Sequence, residues 1–237
     1  LFIFTFFSCE KENFAENDYS KKSKGFKILT YSSASSSENE RVVLNNILSF
    51  ATEKDYNNTL DSLETSFDDY SLQFEEDNKN LSDLQLNANV ENQNIDLEAP
   101  LTNFETVNNF NSLRKSLNDR EIDWLSQPNP DFNECPQIHS ITSQAERTLW
   151  NENGEIMIGE RIYKYNEEVT KYIKIEDGDF EKLSLINAGD TQIFSDPDVS
   201  VMNINQTGPQ PLSSEQCVGS SNKNIMLTSI NGVYKIL

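Results

Sequence analysis

Histidine is almost missing from this chain: the single His139 among 237 residues excludes a metal site built on a histidine pair and any mechanism that needs two imidazoles. Cysteine is scarce too, at positions 9, 135 and 217, with no Cys-x-x-Cys and no Cys/His cluster, which argues against redox and structural-zinc chemistry. Ser140 follows His139, but the Gly-x-Ser-x-Gly turn that presents a serine nucleophile is absent, so no hydrolase triad is recognisable. Basic charge is short, with 19 Lys and Arg against 39 Asp and Glu, a formal net charge of −20. Such a surface repels phosphate backbones and anionic headgroups, which argues against nucleic-acid binding and against polybasic attachment to lipid. The apolar run at residues 1–7 falls short of the about 20 residues that span a bilayer.

That run is nonetheless the clearest signal present. Leu1-Phe2-Ile3-Phe4-Thr5-Phe6-Phe7-Ser8-Cys9 is an apolar stretch closing on a small residue and a cysteine. It resembles the end of a bacterial lipoprotein signal peptide, in which cleavage falls just before the cysteine and the thiol carries diacylglycerol. The resemblance implies that residues 1–8 are the remainder of a signal peptide, shortened because no initiator Met or basic n-region precedes them, and that Cys9 is the lipidated first residue of the mature protein. Phe7 departs from the small residue common at that position. With two or more acyl chains the anchor is stable, each buried methylene contributing roughly 0.8 kcal/mol. If Cys9 is acylated, Cys135 and Cys217 remain as an even pair, and an exported compartment permits a disulfide between them.

The polar, Lys- and Ser-rich residues 9–40 read as the lipidated end and a disordered tether. An α+β domain is expected over 41–189. It opens on Val42 to Phe50, whose period does not decide between a helix running into a strand and a single short helix, and continues into a helix whose face carries Tyr56, Leu60 and Leu63. Twelve acidic residues and one Lys lie between Asp55 and Pro100, and residues 68–103 read as an acidic loop, with a short helix outlined by Phe74, Leu81, Leu84 and Leu86. Phe110, Leu113, Leu117, Ile122, Trp124 and Leu125 outline a helical hairpin or one broken helix, stopped by Pro128 and Pro130. The 29 asparagines suit turns and helix ends, because Asn tolerates left-handed backbone.

Beyond the prolines, Ser143-x-x-Glu146 has the form of a capping box, and alternating Ile156/Ile158 and Ile162/Tyr163/Tyr165 flank a Gly159-Glu160 turn. Val169 to Ile175 reads as a third strand, and Asp177-Gly178-Asp179 as a turn capping a helix with Phe180, Leu183 and Ile186. The fold class expected is therefore α+β, short helices followed by a small antiparallel meander. Residues 190–237 read as a linker and the start of an incomplete β-region, ending in a hairpin around Asn231-Gly232.

The block Leu149-Trp150-Asn151-Glu152-Asn153-Gly154-Glu155-Ile156-Met157-Ile158-Gly159-Glu160-Arg161-Ile162-Tyr163-Lys164-Tyr165, with Phe110-Asn111-Ser112-Leu113-Arg114 and the Asp55-Tyr56-Asn57 helix, resembles a group of uncharacterised Bacteroidota surface lipoproteins. The resemblance spans residues 50–189 and implies a helix-rich region before the strands and a β-sandwich-like region after them. It brings no activity and no cofactor with it. Two acidic clusters offer the hard oxygen ligands that Ca²⁺ takes: Asp177 and Asp179 with Glu181, and Asp196 with Asp198. Neither has EF-hand spacing, and a helix cap and a turn are the commoner uses. Tyr163, Tyr165 and Tyr172 could form a sugar-stacking platform, although sheet tyrosines more often pack. The expected function is a non-catalytic, membrane-anchored envelope lipoprotein binding a protein or glycan partner or serving a structural role. The alternative is a carboxylate-based polysaccharide hydrolase.

Overall fold

A computed structural model describes residues 25–34, 42–130, 136, 141, 143–166, 171–203, 227–230 and 233–236. Strands β1 (Phe26–Ala34) and β2 (Val42–Phe50) pair antiparallel at one side of a six-stranded sheet. Helices α1 (Glu53–Asn78), α2 (Asp83–Gln93), α3 (Ala99–Asn108), α4 (Leu113–Leu125) and α5 (Gln144–Leu149) follow before the chain returns to the sheet. There β3 (Glu155–Ile158) runs parallel to β2, and β4 (Arg161–Asn166) and β5 (Lys171–Ile175) extend it antiparallel. Helix α6 (Phe180–Asn187) and a 3₁₀ turn at Thr191–Ser195 lead to β6 (Val199–Asn203), which closes the order β1-β2-β3-β4-β5-β6. Strands β7 (Leu227–Ile230) and β8 (Val233–Ile236) form a separate two-stranded hairpin. The class is α+β.

Both faces of the sheet are covered, which makes three layers. Leu48, Phe50, Ile156 and Tyr165 face one way and pack with Leu63 and Phe67 of α1, Leu101 and Phe104 of α3, Leu113 and Leu117 of α4, and Leu149 of α5. The alternate residues Tyr31, Ile47, Ile162, Ile173, Ile175 and Val199 face the other way, onto Leu183 of α6 and Ile193. Each fully buried Leu, Ile or Phe stabilises the fold by roughly 1.5–3 kcal/mol. The helical layer is therefore supplied by the long excursion between β2 and β3, and the second layer by the shorter one between β5 and β6.

Three expectations are corrected. The tether over 9–40 gives way to strand at β1, where Phe26 and Ile28 join one core and Leu29 and Tyr31 the other. The acidic loop over 68–103 is largely helical: α1 runs 26 residues with Phe67 and Ser71 extending its buried stripe, so its carboxylates are a solvated face. Within the same stretch a reciprocal Ser82/Gln85 capping box starts α2, Pro100 lies in the first turn of α3, and Asn94 and Asn109 end those helices at φ 49° and 48°. The boundary at 189/190 also falls inside the folded body, because β6 belongs to the main sheet.

Candidate functional site

Strand alternation places Glu155 on the second face, beside Met157, and its carboxylate is completely buried at 0% exposure. Burial of a charge on that scale requires donors, and four side chains supply them. Register sets Lys164 of β4 directly opposite, with Nζ donating to Oε1 at 3.1 Å. Asn187, the last residue of α6, donates Nδ2 to the same oxygen at 2.9 Å. The Tyr31 hydroxyl donates to Oε2 from β1, and Asn151 donates Nδ2 to Oε2 at 2.9 Å.

Asn151 is held by the turn it builds. Its Oδ1 accepts from the backbone of Asn153 and Glu155 at 3.1 and 2.8 Å, and Nδ2 also donates to the Asn46 carbonyl at 3.0 Å. Gly154 turns the chain here at φ +68°, where a Cβ would press on Tyr165 Cβ at 3.3 Å. Burial, then the Glu155 charge beside it, pushes the Tyr31 phenol well above its ordinary range. A carboxylate has about four lone-pair sites, and all are used here. Glu155 is therefore a structural hub whose four acceptor positions are all engaged.

Over this hub lies an open groove of about 500 Å³ between the β4–β5 surface and the end of α6, lined among others by Lys164, Ile173, Asn187, Asp190, Thr191 and Phe194. The Lys164 ammonium donates to Glu155 and to the Asn153 carbonyl at 3.1 Å, which leaves the third of its N–H groups for the groove. Asn187 Oδ1 is buried and has no partner among the described residues. Phe194 is 41% exposed at the rim.

Two further polar clusters sit in the helical layer. Arg114 of α4 is buried and ion-paired to Glu105 and Glu98, while Ser112 caps α4 by accepting from the Lys115 N–H at 3.0 Å and donates to Glu105. At the α1–α5 contact, Glu146 accepts from the Tyr56 hydroxyl at 3.2 Å, and Ser143 donates to Glu64 at 3.2 Å while capping α5. Burial, and behind it the charge of Glu64, raises the Glu146 carboxyl above its ordinary value against the Tyr56 hydrogen bond and the Arg147 charge. Burial likewise pushes the neighbouring Arg147 guanidinium down to about 10.

Cys9, Cys135, Cys217, His139 and Ser140 lie outside the described residues. The two acidic clusters considered for Ca²⁺ come together, but around Lys182. Its ammonium reaches Asp177 at 2.7 Å, Asp198 at 3.0 Å and Asp196 at 3.4 Å, so a side-chain cation stands where an ion would sit. Asp179 caps α6 by accepting from the Glu181 N–H at 2.7 Å. Among the described residues no group of three or more His, Cys, Asp or Glu is placed to hold a metal. Tyr163, Tyr165 and Tyr172 face the helical layer, with Tyr172 against Trp150 at 5.4 Å, so they are core packing in place of a sugar platform.

Glu155 escaped the sequence reading because an acid alternating with isoleucines reads as the wet side of a half-buried strand. Only part of its surroundings is local: Asn151, Gly154 and Lys164 share its block of the sequence, whereas Tyr31 and Asn187 come from 124 residues before and 32 after. No helix among the described residues is long and apolar enough to cross a membrane. Comparison with protein families, with curated proteins and with solved structures finds no match to this chain.

Proposed function

We propose that the protein is a non-catalytic lipoprotein of the bacterial cell envelope, held at the outer membrane or cell surface through an acylated Cys9, with a folded body that binds a partner or serves a structural role. The observation that carries the anchoring is the apolar run closing on Ser8-Cys9. The kinship proposed with Bacteroidota surface lipoproteins rests on the Leu149 to Tyr165 block. The binding role is supported by a groove whose buried carboxylate is saturated with donors, an arrangement that favours holding a ligand over transforming it.

Expressed behind a lipoprotein signal peptide, the protein is expected in the detergent phase on partitioning, and Cys9→Ala in the aqueous phase. Equal partitioning of both would refute the anchor. The hydrolase reading draws on one observation, the two carboxylates Glu146 and Glu64 at the α1–α5 contact, held by Tyr56 and Ser143. It would displace the binding role if the protein released reducing ends from a polysaccharide and Glu146→Gln lost that activity with its fold intact.

A further inference from the structure

The groove over Glu155 joins a donor, an orphan acceptor and an exposed ring. Lys164 Nζ and Asn187 Nδ2 share one Glu155 oxygen, at 3.1 and 2.9 Å, so the ammonium and the carboxamide are neighbours held by a buried charge. The ammonium has one N–H left to give, and Asn187 Oδ1 is a buried acceptor without a partner among the described residues. Asn187 as a whole is only half-buried and lines the groove, so a modest turn of its carboxamide presents this unpaired acceptor to a ligand hydroxyl. Adjacent hydroxyls on a sugar ring present the complement: one oxygen accepts from Lys164 and its neighbour donates to Asn187. Phe194, at the rim, offers a flat apolar face to the C–H side of such a ring.

Charge narrows the class. Glu152 and Asp190 also line the groove, and the chain carries a formal net charge of −20, so a polyanion is repelled. A cationic group has no lone pair for the remaining Lys164 N–H, whereas a hydroxyl oxygen does. We infer that this groove binds a neutral glycan, held through two adjacent hydroxyls by Lys164 and Asn187 and stacked on Phe194. The inference rests on the binding role proposed above and names its ligand class.

The test is calorimetric titration of the full chain, purified in detergent, with neutral hexasaccharides of xylose, mannose, glucose and N-acetylglucosamine. At least one is expected to bind. Phe194→Ala should weaken it at least tenfold, equivalent to about 1.4 kcal/mol, with an unchanged melting temperature. Lys164→Met should also abolish it, and because that variant disturbs Glu155, Lys164→Arg serves as its folded control and should retain part of the affinity. The inference is overturned if none of the four binds, if Phe194→Ala binds as well as wild type, or if a sulfated polysaccharide or a mixed peptide library binds in their place. Peptide binding in this groove would overturn the glycan while leaving the binding role standing, and detergent partitioning of the same sample reports on the anchor independently.

Discussion

Replacing Glu155 is the sharpest probe of how the sheet and the layer on its second face are joined. Glu155→Ala removes a carboxylate that accepts from Tyr31, Asn151, Asn187 and Lys164. Lys164 keeps 18% side-chain exposure and can recover water, and Asn187 is only partly buried, but Tyr31 and Asn151 are buried at 6% and 1%. Hydrogen bonds to a charged group contribute roughly 1.5–3 kcal/mol each, and removing one member of a buried ion pair costs about 3–5 kcal/mol. Because the surviving donors share one site, their losses do not add, and about 3–5 kcal/mol is the expected total. That is a large part of the roughly 5–15 kcal/mol by which domains are stable. Glu155→Gln keeps the shape and one acceptor oxygen, and Tyr31 can turn its hydroxyl to accept, so about 1–3 kcal/mol is expected. Urea titration followed by far-UV circular dichroism measures both, with an unchanged slope marking a true stability change. A loss below about 1 kcal/mol for Glu155→Ala would refute the assignment of Glu155 as a saturated structural hub.

Arg114→Met strands the buried Glu105 and the half-buried Glu98, and a loss of about 3–5 kcal/mol in urea titration is expected, with Arg114→Met/Glu105→Met losing clearly less. Gly178 has φ +64° and a built Cβ would meet the Glu160 carbonyl oxygen at 2.9 Å, whereas Gly189 at φ +81° has nothing within 4 Å. Gly178→Ala is therefore expected to lose roughly 2–3 kcal/mol and Gly189→Ala about 1, a difference read from their melting curves. Glu146 has a raised carboxyl, so the folded protein holds a proton that the unfolded chain releases above about pH 4.3. Its contribution is full below that pH and is lost as pH rises through the folded value. Glu146→Gln should thus gain stability relative to wild type as pH rises from about 4 to 7, and parallel urea midpoints at both pH values would contradict this.

Much of the second half was legible because its cues are local. Ser143 and Asp179 cap their helices and Gly159 turns the β3–β4 hairpin, and in the first half the stripe from Tyr56 to Leu63 likewise marks the start of α1. The strands β1 and β2 were harder. Both faces are buried in them, so Phe26-Lys27-Ile28-Leu29-Thr30-Tyr31 shows no clean alternation, and Asn45 and Asn46 interrupt β2 with polar side chains. In α1 the density of acids hid a stripe that continues through Phe67 and Ser71, because charge on the wet face of a helix looks like a loop when the register is not followed. The Glu155 hub needed knowledge beyond any local window. Tyr31 lies 124 residues before it and Asn187 thirty-two after, and α6 buries them only once the second layer is in place.

What is attached to Cys9 decides whether the protein is a lipoprotein. Expressed in a bacterial host behind a lipoprotein signal peptide, the membrane-purified protein should give by mass spectrometry an N-terminal peptide beginning at Cys9 with a diacylglyceryl group on its sulfur. A peptide that retains residues 1–8, or a Cys9 with a free thiol in the membrane fraction, would contradict it.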